Sequence, residues 1–478
     1  MEKIKNLFQS TKMKQGSYSV GLTAIVLAIV VVANLLVGQL PENMRNIDVS
    51  DTNLYEITEV SRNLLNSLED DVTFTVLAEK ESTDERIKTF LSKYAGLSKH
   101  IAVEWIDPVL HPAALTEYDT SENTIVVTNE STQKSTTVTF SDIIVMDYSS
   151  YYYTGSYSES EFDAEGQLTS AVNYVTNDAN ETIYLTTGHG ETSFSHTVSD
   201  MMKKNNYSVS EVNLLMEAQI PSDCDLLLLN APLADLAEVE RKCISEYLAD
   251  GGKVMLLLGE NVETRMPNLE SLLAEYGMEI ADGYIADTKR CYQGNPYYIF
   301  PELNVSGDLA QGISSEMVLM IYAQGLNMVD AARDTIHVSE FMTTSSGAYA
   351  VTETDETEGT YTIGAVATET VSTDNGDEAD EEDSAETKTS RLTVISSATL
   401  IDSQITDTFS TLENTTLFMN AVTANFDGVQ NLSIEPKSLA VEYNTVQHAG
   451  LLSLFVIFAI PAILLIGGVV VWTKRRKA

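Results

Sequence analysis

The fold is indicated most clearly by residues 224–258, which read CDLLLLNAPLADLAEVERKCISEYLADGGKVMLLL. The first segment is a continuous apolar run, which is typical of a parallel strand that is buried on both faces. A helical segment follows. It is predicted to end at Gly251 and Gly252, since glycine is common directly after a helix. The apolar run from Val254 then forms another strand. This order of strand, helix and strand predicts a doubly wound α/β sheet with helices on both faces.

The same alternation is found upstream of this stretch. A helix over EFDAEGQLTSAVNYVTND leads into the strand TIYLTTGHGE, and VSDMMKKNNYSVSEVNLL supplies another helix and strand. Nearer the N-terminus, Val72 to Pro108 is predicted to form a strand, a helix and a strand, and TIVVTNE and STTVTFSDIIVM extend its sheet. We therefore predict two α/β domains, residues 41–147 and 163–430, joined at 148–162 by a linker rich in Tyr and Ser.

Two long uncharged apolar runs, residues 20–40 and 450–472, flank these domains. At about 1.5 Å rise per residue, each run is long enough to cross a bilayer as a helix. A cleaved signal peptide is the alternative for the first run, which is longer than a usual signal sequence. The small and polar residues of the two runs that are predicted to contact other helices are Asn34, Pro461, Gly467 and Gly468.

The charges beside the two runs predict the orientation of the chain. The tails 1–19 and 473–478 are basic, which by the positive-inside bias places both termini in the cytoplasm. The sequence thus predicts a bacterial plasma-membrane protein that spans the membrane twice, with its large domain outside. Residues 431–449 then form a membrane-proximal segment.

The chain is strongly acidic, with a formal net charge of −42 at pH 7. Such a surface repels phosphates, which excludes nucleic acid as a partner. The acidic stretch 374–386 repels itself and is predicted to be a disordered loop. Cys224, Cys243 and Cys291 are odd in number and lack the spacing of a zinc site, which indicates buried thiols rather than disulfides.

The best candidate ligand site is the turn that follows TIYLTT, formed by Gly188, His189, Gly190 and Glu191. Open parallel sheets bind ligands beyond the carboxyl ends of their strands, and this turn is predicted to lie at such an end. The glycines permit a tight turn, and His189 is able to act as base, acid or ligand. The alternative is a structural turn in which His189 is hydrogen-bonded to nearby backbone.

A second candidate binding surface is the group of tyrosines in the predicted linker, Tyr151, Tyr152 and Tyr153. Exposed aromatic side chains form recognition surfaces in other proteins. Packing within a linker is the simpler interpretation of these residues.

The sequence predicts no catalytic residue, no cofactor and no metal, and therefore a protein that is not an enzyme. No apolar strand is followed by a Gly-x-Ser-x-Gly or Gly-x-Cys-x-Gly nucleophile turn. The Gly-Gly-Lys at residues 251–253 continues into a strand, unlike a phosphate-binding loop. His189, Glu191 and His196 also lack the spacing of the His-Glu-x-x-His metal motif.

Several segments together resemble a known family. They are DVSDTNLYEITEVSRNLLNSLEDDVTFTVLAEK, WIDP, EGQLTSAVNYVT, LTTGHGE and the stretch quoted first, with a weaker NTTLFMNAV near Asn414. The set covers about Asp48 to Gly259 and is similar to the external auxiliary subunits of ABC transporters typified by the gliding-motility-associated GldG-like proteins. The chain departs from that family in its late turn, where Ser396 to Thr399 replace a turn of the Gly-Asp-Ser type.

The resemblance implies a thioredoxin-like first domain, a class I amidotransferase-like second domain, and a non-catalytic partner of a separate permease and ATPase. We therefore predict an extracytoplasmic, membrane-anchored auxiliary subunit of an ABC-type transport system, with the permease, the ATPase and the lipid bilayer as partners. One alternative is an anchored extracellular protein that recognises a glycan or peptide through the linker tyrosines and the turn at 188–191. Another is a novel hydrolase that uses His189 and Glu191.

Overall fold

The computed structural model describes a set of segments separated by gaps. They are residues 25–29, 31–32, 53–147, 155, 157–177, 181–260, 265–372, 387–409, 411–426 and 429–439. The chain divides into two compact units, of which the larger comprises residues 1–145 and 162–437 and the smaller comprises residues 146–161 and 438–478.

The N-terminal part of the larger unit is a small α/β sheet. Its elements are α1 (Glu59–Asn66), β1 (Val72–Leu77), α2 (Glu85–Ala95), β2 (Ile101–Ile106), α3 (Ala113–Glu117), β3 (Thr124–Asn129), β4 (Lys134–Thr139) and α4 (Phe140–Ile143). The strand order is β2-β1-β3-β4. Strands β1 and β2 are parallel, whereas β3 is antiparallel to both β1 and β4.

Helix α2 shows how the sequence determines this packing. Asp84 caps the helix, because its carboxylate accepts a hydrogen bond from the Arg86 backbone N–H at 2.8 Å. The apolar residues of the helix recur at three- and four-residue spacing, which places them on one face. All four are buried, namely Ile87, Phe90, Leu91 and Tyr94.

The chain then builds a larger sheet. It continues through β5 (Ile144–Asp147), β6 (Ser158–Phe162), α5 (Ala164–Thr176), β7 (Thr182–Thr186), α6 (His196–Lys204), β8 (Ser208–Val212), α7 (Leu214–Glu217), β9 (Leu226–Asn230), α8 (Glu238–Ala249), β10 (Lys253–Leu257) and α9 (Pro267–Glu275). Helix α5 packs against β3 and β4 of the small sheet.

Short strands and three longer ones complete the described chain. They are β11 (Met278–Ile280), β12 (Tyr284–Asp287), β13 (Cys291–Tyr292), β14 (Asn295–Ile299), β15 (Glu302–Leu303), β16 (Met320–Ile321), β17 (Leu326–Met328), β18 (Ile336–Thr343), β19 (Ala348–Val351), β20 (Glu356–Gly359), β21 (Thr362–Ser372), β22 (Thr387–Ile395) and β23 (Lys437–Ser438), with helices α10 (Ser403–Thr406) and α11 (Asn414–Thr423) before β23.

Within the described residues, ten strands form the central sheet. Its parallel part has the order β8-β7-β9-β10-β22. Antiparallel strands β21, β17 and β11 extend one side, and β18 pairs with both β21 and β15. Smaller sheets have the orders β12-β19-β20, β13-β14-β16 and β23-β6-β5.

Strand β9 is buried on both faces, as its continuous leucine run predicts. Leu226 and Leu228 share a core with helices α6 and α11, whereas Leu227 and Leu229 share another with helices α8 and α9. Successive side chains of a strand point to opposite faces, so helices cover both sides of the sheet. The predicted α/β class is therefore confirmed.

The prediction of two transmembrane helices is contradicted. Among the residues that the structure describes, no helix combines the length and the apolar content needed to cross a membrane. The same finding contradicts the predicted plasma-membrane localisation with two spans.

Several other features predicted from the sequence fall on residues that the structure does not describe. This applies to residues 450–472, to the helix contacts Asn34, Pro461, Gly467 and Gly468, and to the acidic stretch 374–386. The predicted domain boundaries, including the start of the second domain at residue 163, stay predictions.

Candidate functional site

The candidate site lies at the carboxyl edge of the parallel strands, beside β7 and β9. The chain passes from β7 to β8 on one side of β7, and β9 then lies on the other side. Such a reversal opens a crevice beyond the strand ends, which is where open α/β sheets bind ligands. The turn at 188–191 follows β7 and residues 231–234 follow β9, so both segments lie at this edge.

The two glycines are required by the backbone of the turn. Gly188 has φ +119° and Gly190 has φ +79°, conformations that residues with a Cβ rarely adopt. A Cβ on Gly188 would also lie 2.9 Å from Asn213 Nδ2. The Gly-His-Gly pattern is therefore explained by the tight turn that presents His189 and Glu191.

His189 lies between two carboxylates. Its Nδ1 is 3.3 Å from Glu191 Oε1, and its Nε2 is 3.0 Å from Glu240 Oε2. The other oxygen of Glu191 accepts a hydrogen bond from the His189 backbone N–H at 2.7 Å. The His189 side chain is 10% exposed, that of Glu191 8% and that of Glu240 1%. This group is therefore almost fully withdrawn from solvent.

Backbone hydrogen bonds join the turn to the segment after β9. The His189 carbonyl accepts from the N–H groups of Leu233 and Ala234 at 2.8 and 3.1 Å. In return the Thr192 N–H donates to the Asn230 carbonyl, and the Asn230 amide donates to the Thr192 carbonyl. The two loops of the crevice are thus held together as one rigid edge.

The arrangement suits a structural brace better than acid–base chemistry. A histidine that acts as base or metal ligand needs a ring nitrogen with an available lone pair. Both ring nitrogens of His189 already face carboxylate oxygens, so neither is free for a substrate or a metal. The group joins the turn after β7 to the first turn of helix α8, which carries Glu240.

His189, Glu191 and His196, which lack the spacing of a metal motif, do not form a metal-binding group in the described part of the chain. There, no group of three or more His, Cys, Asp or Glu side chains is arranged to hold a metal ion. His196 begins helix α6, and its backbone N–H faces the Asp407 carboxylate at 3.4 Å.

One cavity at this edge is small. A cavity of about 50 Å³ is lined by residues that include Pro232, Gly259 and Gln324. A water molecule occupies about 30 Å³ of liquid, so the cavity has room for one or two waters and not for an organic substrate.

Exposed apolar side chains lie on the segments that follow β8 and β9, at the same edge of the sheet as the turn. Leu215 is 60% exposed, Met216 83%, Leu233 50% and Val239 47%. They belong to helix α7, to the segment after β9 and to the start of helix α8, and we call these four residues the apolar rim. Large apolar side chains grouped at a surface are typical of protein interaction sites.

Glu240→Ala is expected to lower the free energy of unfolding by about 2–3 kcal/mol, because the carboxylate accepts from the Ala237 N–H at 2.8 Å and faces His189. Urea unfolding of the purified chain measures this loss. The control is Glu246→Ala on the same helix, where the carboxylate is 69% exposed and the expected change is within about 0.5 kcal/mol. Equal losses for the two variants would show that Glu240 is not a brace.

Other predicted residues are placed as follows. Tyr151, Tyr152 and Tyr153 lie outside the described residues, so their recognition role stays a prediction. The three cysteines are free and partly buried, and burial raises the pKa of Cys224 to about 11. In the late turn, the Ser397 hydroxyl lies 2.8 Å from the Thr399 hydroxyl and also 3.2 Å from the Ile321 carbonyl, to which it donates.

Sequence reasoning missed two sets of residues. Glu240 lies 51 positions after His189 within an acidic helix start, and no sequence signal separates it from its exposed neighbours. The second set is a tyrosine cluster formed by Tyr284, Tyr297, Tyr298 and Tyr322. Its signal was available, because tyrosine is frequent between residues 276 and 322.

Solved structures with some similarity have TM-scores too low to support an argument. The mmIFT52 N-terminal domain has 15% identity and a TM-score of 0.36, with 53% of this chain and 98% of that chain covered. The NTD_N/C domain of alkylhydroperoxide reductase AhpF from Enterococcus faecalis has 15% identity and a TM-score of 0.19, with 33% and 78% covered. The cytoplasmic protein STM3548 from Salmonella typhimurium has 10% identity and a TM-score of 0.29, with 51% and 97% covered. The thioredoxin-like and amidotransferase-like assignments thus stay predictions.

No curated protein matches the chain. Two family models match parts of it. Residues 51–146, which contain the small sheet, match a domain of unknown function, DUF7088. Residues 180–295, which contain the candidate site, match the family described as ABC-type uncharacterized transport system, and this match supports an ABC-type transport auxiliary role for the chain.

Proposed function

We propose that this chain is a non-catalytic, GldG-like auxiliary subunit that binds a permease or ATPase subunit of an ABC-type transporter. The observation that carries the proposal is the family match over residues 180–295, which encloses β7, β9, helix α8 and the turn between the two carboxylates. The chain would contribute binding surface to the transporter and no chemical step.

The geometry of His189 supports the non-catalytic part of the proposal. Its two ring nitrogens are engaged by Glu191 and Glu240, and its side chain is only 10% exposed. A hydrolase that uses His189 as its base would need a ring nitrogen that is free to accept a proton.

The apolar rim is the surface that we assign to the transporter. It lies within the matched region, and it is presented by an edge that the hydrogen bonds between His189, Leu233 and Ala234 make rigid. A preformed surface loses less conformational entropy on binding than a flexible one. Burying a fully exposed leucine or methionine contributes about 1.5–3 kcal/mol, so two such residues are enough to decide whether a complex forms.

The double variant Met216→Asp with Leu233→Asp is expected to recover at least about tenfold less transporter than the wild-type chain, since charged groups in an apolar interface remain unpaired. The measurement is purification of the full chain from native membranes in mild detergent, with the permease and ATPase identified by mass spectrometry. The control is Val109→Asp, a residue that is 78% exposed in the loop after β2.

The two levels of the proposal fail in different ways. A wild-type chain that recovers neither a permease nor an ATPase contradicts the auxiliary function. A double variant that recovers both subunits in wild-type amount contradicts only the assignment of the apolar rim. Both aspartates replace exposed side chains, so thermal unfolding of the variants should match the wild type.

A further inference from the structure

A groove of about 1240 Å³ is lined by residues of β12, of β14 and of the hairpin β19–β20. It shares Arg265, Asp282 and Gly283 with the small cavity at the carboxyl edge of β9 and β10. Small-molecule pockets in proteins are usually about 300–1,000 Å³. This groove is larger, which fits an extended ligand better than a compact one.

One wall of the groove is aromatic and is built around Tyr322. The Tyr322 ring stacks on Tyr297 with 5.6 Å between ring centroids, and it meets Tyr284 edge-on at 5.5 Å. Tyr298 contacts the same ring at 6.1 Å from outside the groove lining. Because the Tyr322 side chain is 37% exposed, part of this aromatic wall faces solvent.

The backbone holds Tyr322 in an unusual conformation. Its φ is +46°, in the left-handed region that bulky residues rarely adopt. The Tyr322 N–H donates to the Tyr297 carbonyl at 3.1 Å, and the next carbonyl, of Ala323, accepts from the Ile285 N–H at 2.8 Å. These bonds hold the backbone segment that carries the ring.

Another part of the groove, the hairpin turn between β19 and β20, is acidic rather than aromatic. Glu353 and Asp355 line the groove there, and no cationic side chain of the described residues lies within ion-pair distance of either. The one cation in the lining, Arg265, is already paired with Asp282 at 3.2 Å and with Glu270 at 3.6 Å. The groove therefore has an excess of negative charge beside partly exposed tyrosines.

We propose that this groove binds a basic peptide segment, whose Arg or Lys side chains lie against the tyrosines and pair with Glu353 and Asp355. Organic cations bind the faces of aromatic rings, and guanidinium groups also pair with carboxylates in a bidentate manner. The unpaired carboxylates repel phosphates and acidic ligands. The volume of the groove, about 1240 Å³, accommodates several residues of a peptide, whereas a lone amine would fill little of it. This inference is independent of the proposed function.

The test uses the purified full chain and a fluorescein-labelled octapeptide of alternating Gly and Arg, with binding measured by fluorescence anisotropy. We expect binding that weakens as salt is raised from about 50 to 500 mM, because exposed charges are screened. The corresponding Gly-Glu octapeptide should not bind. Calorimetry with cellohexaose, a neutral glycan, should show no heat of binding.

Tyr322→Gly is the decisive variant, because glycine accepts the left-handed backbone and removes only the ring. It is expected to weaken binding of the Arg peptide by about 3- to 30-fold, whereas Tyr322→Phe, which keeps an aromatic face, should bind close to wild type. The matched tyrosine control is Tyr292→Ala, outside the groove lining, which should leave affinity unchanged.

The charge control separates this site from general attraction to an acidic chain. Glu353→Gln with Asp355→Asn should weaken binding at least about fivefold, and Glu122→Gln with Glu130→Gln, which neutralises two exposed carboxylates on the small sheet, should not. The proposal is overturned if Tyr322→Gly binds as well as wild type, if the two charge variants have equal effects, or if cellohexaose binds and the Arg peptide does not.

Discussion

Replacing Lys204 with Met is expected to lower the free energy of unfolding by about 3–5 kcal/mol, because it removes the cation from a buried charge cluster. Lys204 Nζ lies 2.8 Å from Asp163 Oδ2 and 2.7 Å from Asp200 Oδ2, and it also donates to the Ile434 carbonyl. Its side chain is 2% exposed and that of Asp163 is 4% exposed. Methionine fills a similar volume but leaves the Asp163 carboxylate buried without its counter-charge.

The same cluster gives this prediction a pH signature. Burial raises the pKa of Asp163 to about 6 from its usual 3.8, although the neighbouring Lys204 opposes the increase. Burial works to lower the pKa of Lys204, but the carboxylates of Asp163 and Asp200 together raise it, so the amine remains charged.

The sign of the pH dependence follows from these directions. A carboxyl whose pKa is higher in the folded chain binds its proton more tightly there, so its contribution to stability is largest below about pH 4. That contribution is lost as pH rises through about 6. In Lys204→Met the Asp163 carboxylate no longer has a cation beside it, so the pKa of Asp163 in the folded chain should be higher still. The loss of the Asp163 contribution to stability should therefore extend to higher pH. Urea unfolding at several values between pH 5 and 8 measures the effect, and Asp163→Asn should abolish this part of the dependence.

A matched exposed lysine provides the control for Lys204. Lys242 lies 3.5 Å from Glu246 on helix α8, and the two side chains are 70% and 69% exposed. Exposed pairs of this kind contribute little, so Lys242→Met should change the free energy of unfolding by no more than about 0.5 kcal/mol. If Lys204→Met is as well tolerated as Lys242→Met, the buried cluster does not stabilise the fold.

The sequence predicts the sheet well because each strand carries its own burial signal. The leucines of β9 alternate between two cores, and both cores are apolar. The continuous run Leu226–Leu229 therefore identifies a strand that is buried on both faces. His189 was found at a strand end for a related reason: a position directly after a strand is fixed by local order in the chain. Its partner Glu240 could not be found, because their contact depends on how helix α8 packs.

The buried charges could not be predicted for a similar physical reason. Lys203 and Lys204 are adjacent in the sequence, yet one is exposed and the other is 2% exposed. Neighbouring helix positions differ by about 100° of rotation, and only the packing of α6 decides which one faces inward. The apolar run 20–40 is the opposite case: a strong pattern predicted a spanning helix, and the described residues contain none.

Glu165→Ala is expected to lower the free energy of unfolding by about 3 kcal/mol and to loosen helix α1. Glu165 Oε1 accepts three hydrogen bonds of 2.7 Å, from the Thr58 N–H, the Thr58 hydroxyl and the Ser61 hydroxyl. Thr58 precedes helix α1 and its own side chain makes no capping bond, so a carboxylate from helix α5 satisfies the first turn instead. Removing it leaves the fully buried Ser61 with fewer partners and takes a negative charge from the helix N-terminus.

The measurement is urea unfolding combined with amide hydrogen exchange over residues 59–66, where the protection of α1 should fall more than that of α2. Glu165→Gln keeps an acceptor oxygen and should lose about half as much as Glu165→Ala. Glu59→Ala is the matched control, because Glu59 lies in the first turn of α1 but its side chain is 87% exposed. It should cost less than about 1 kcal/mol. Equal effects of Glu59→Ala and Glu165→Ala would mean that charge near the helix N-terminus matters and that the buried contacts between α5 and α1 do not.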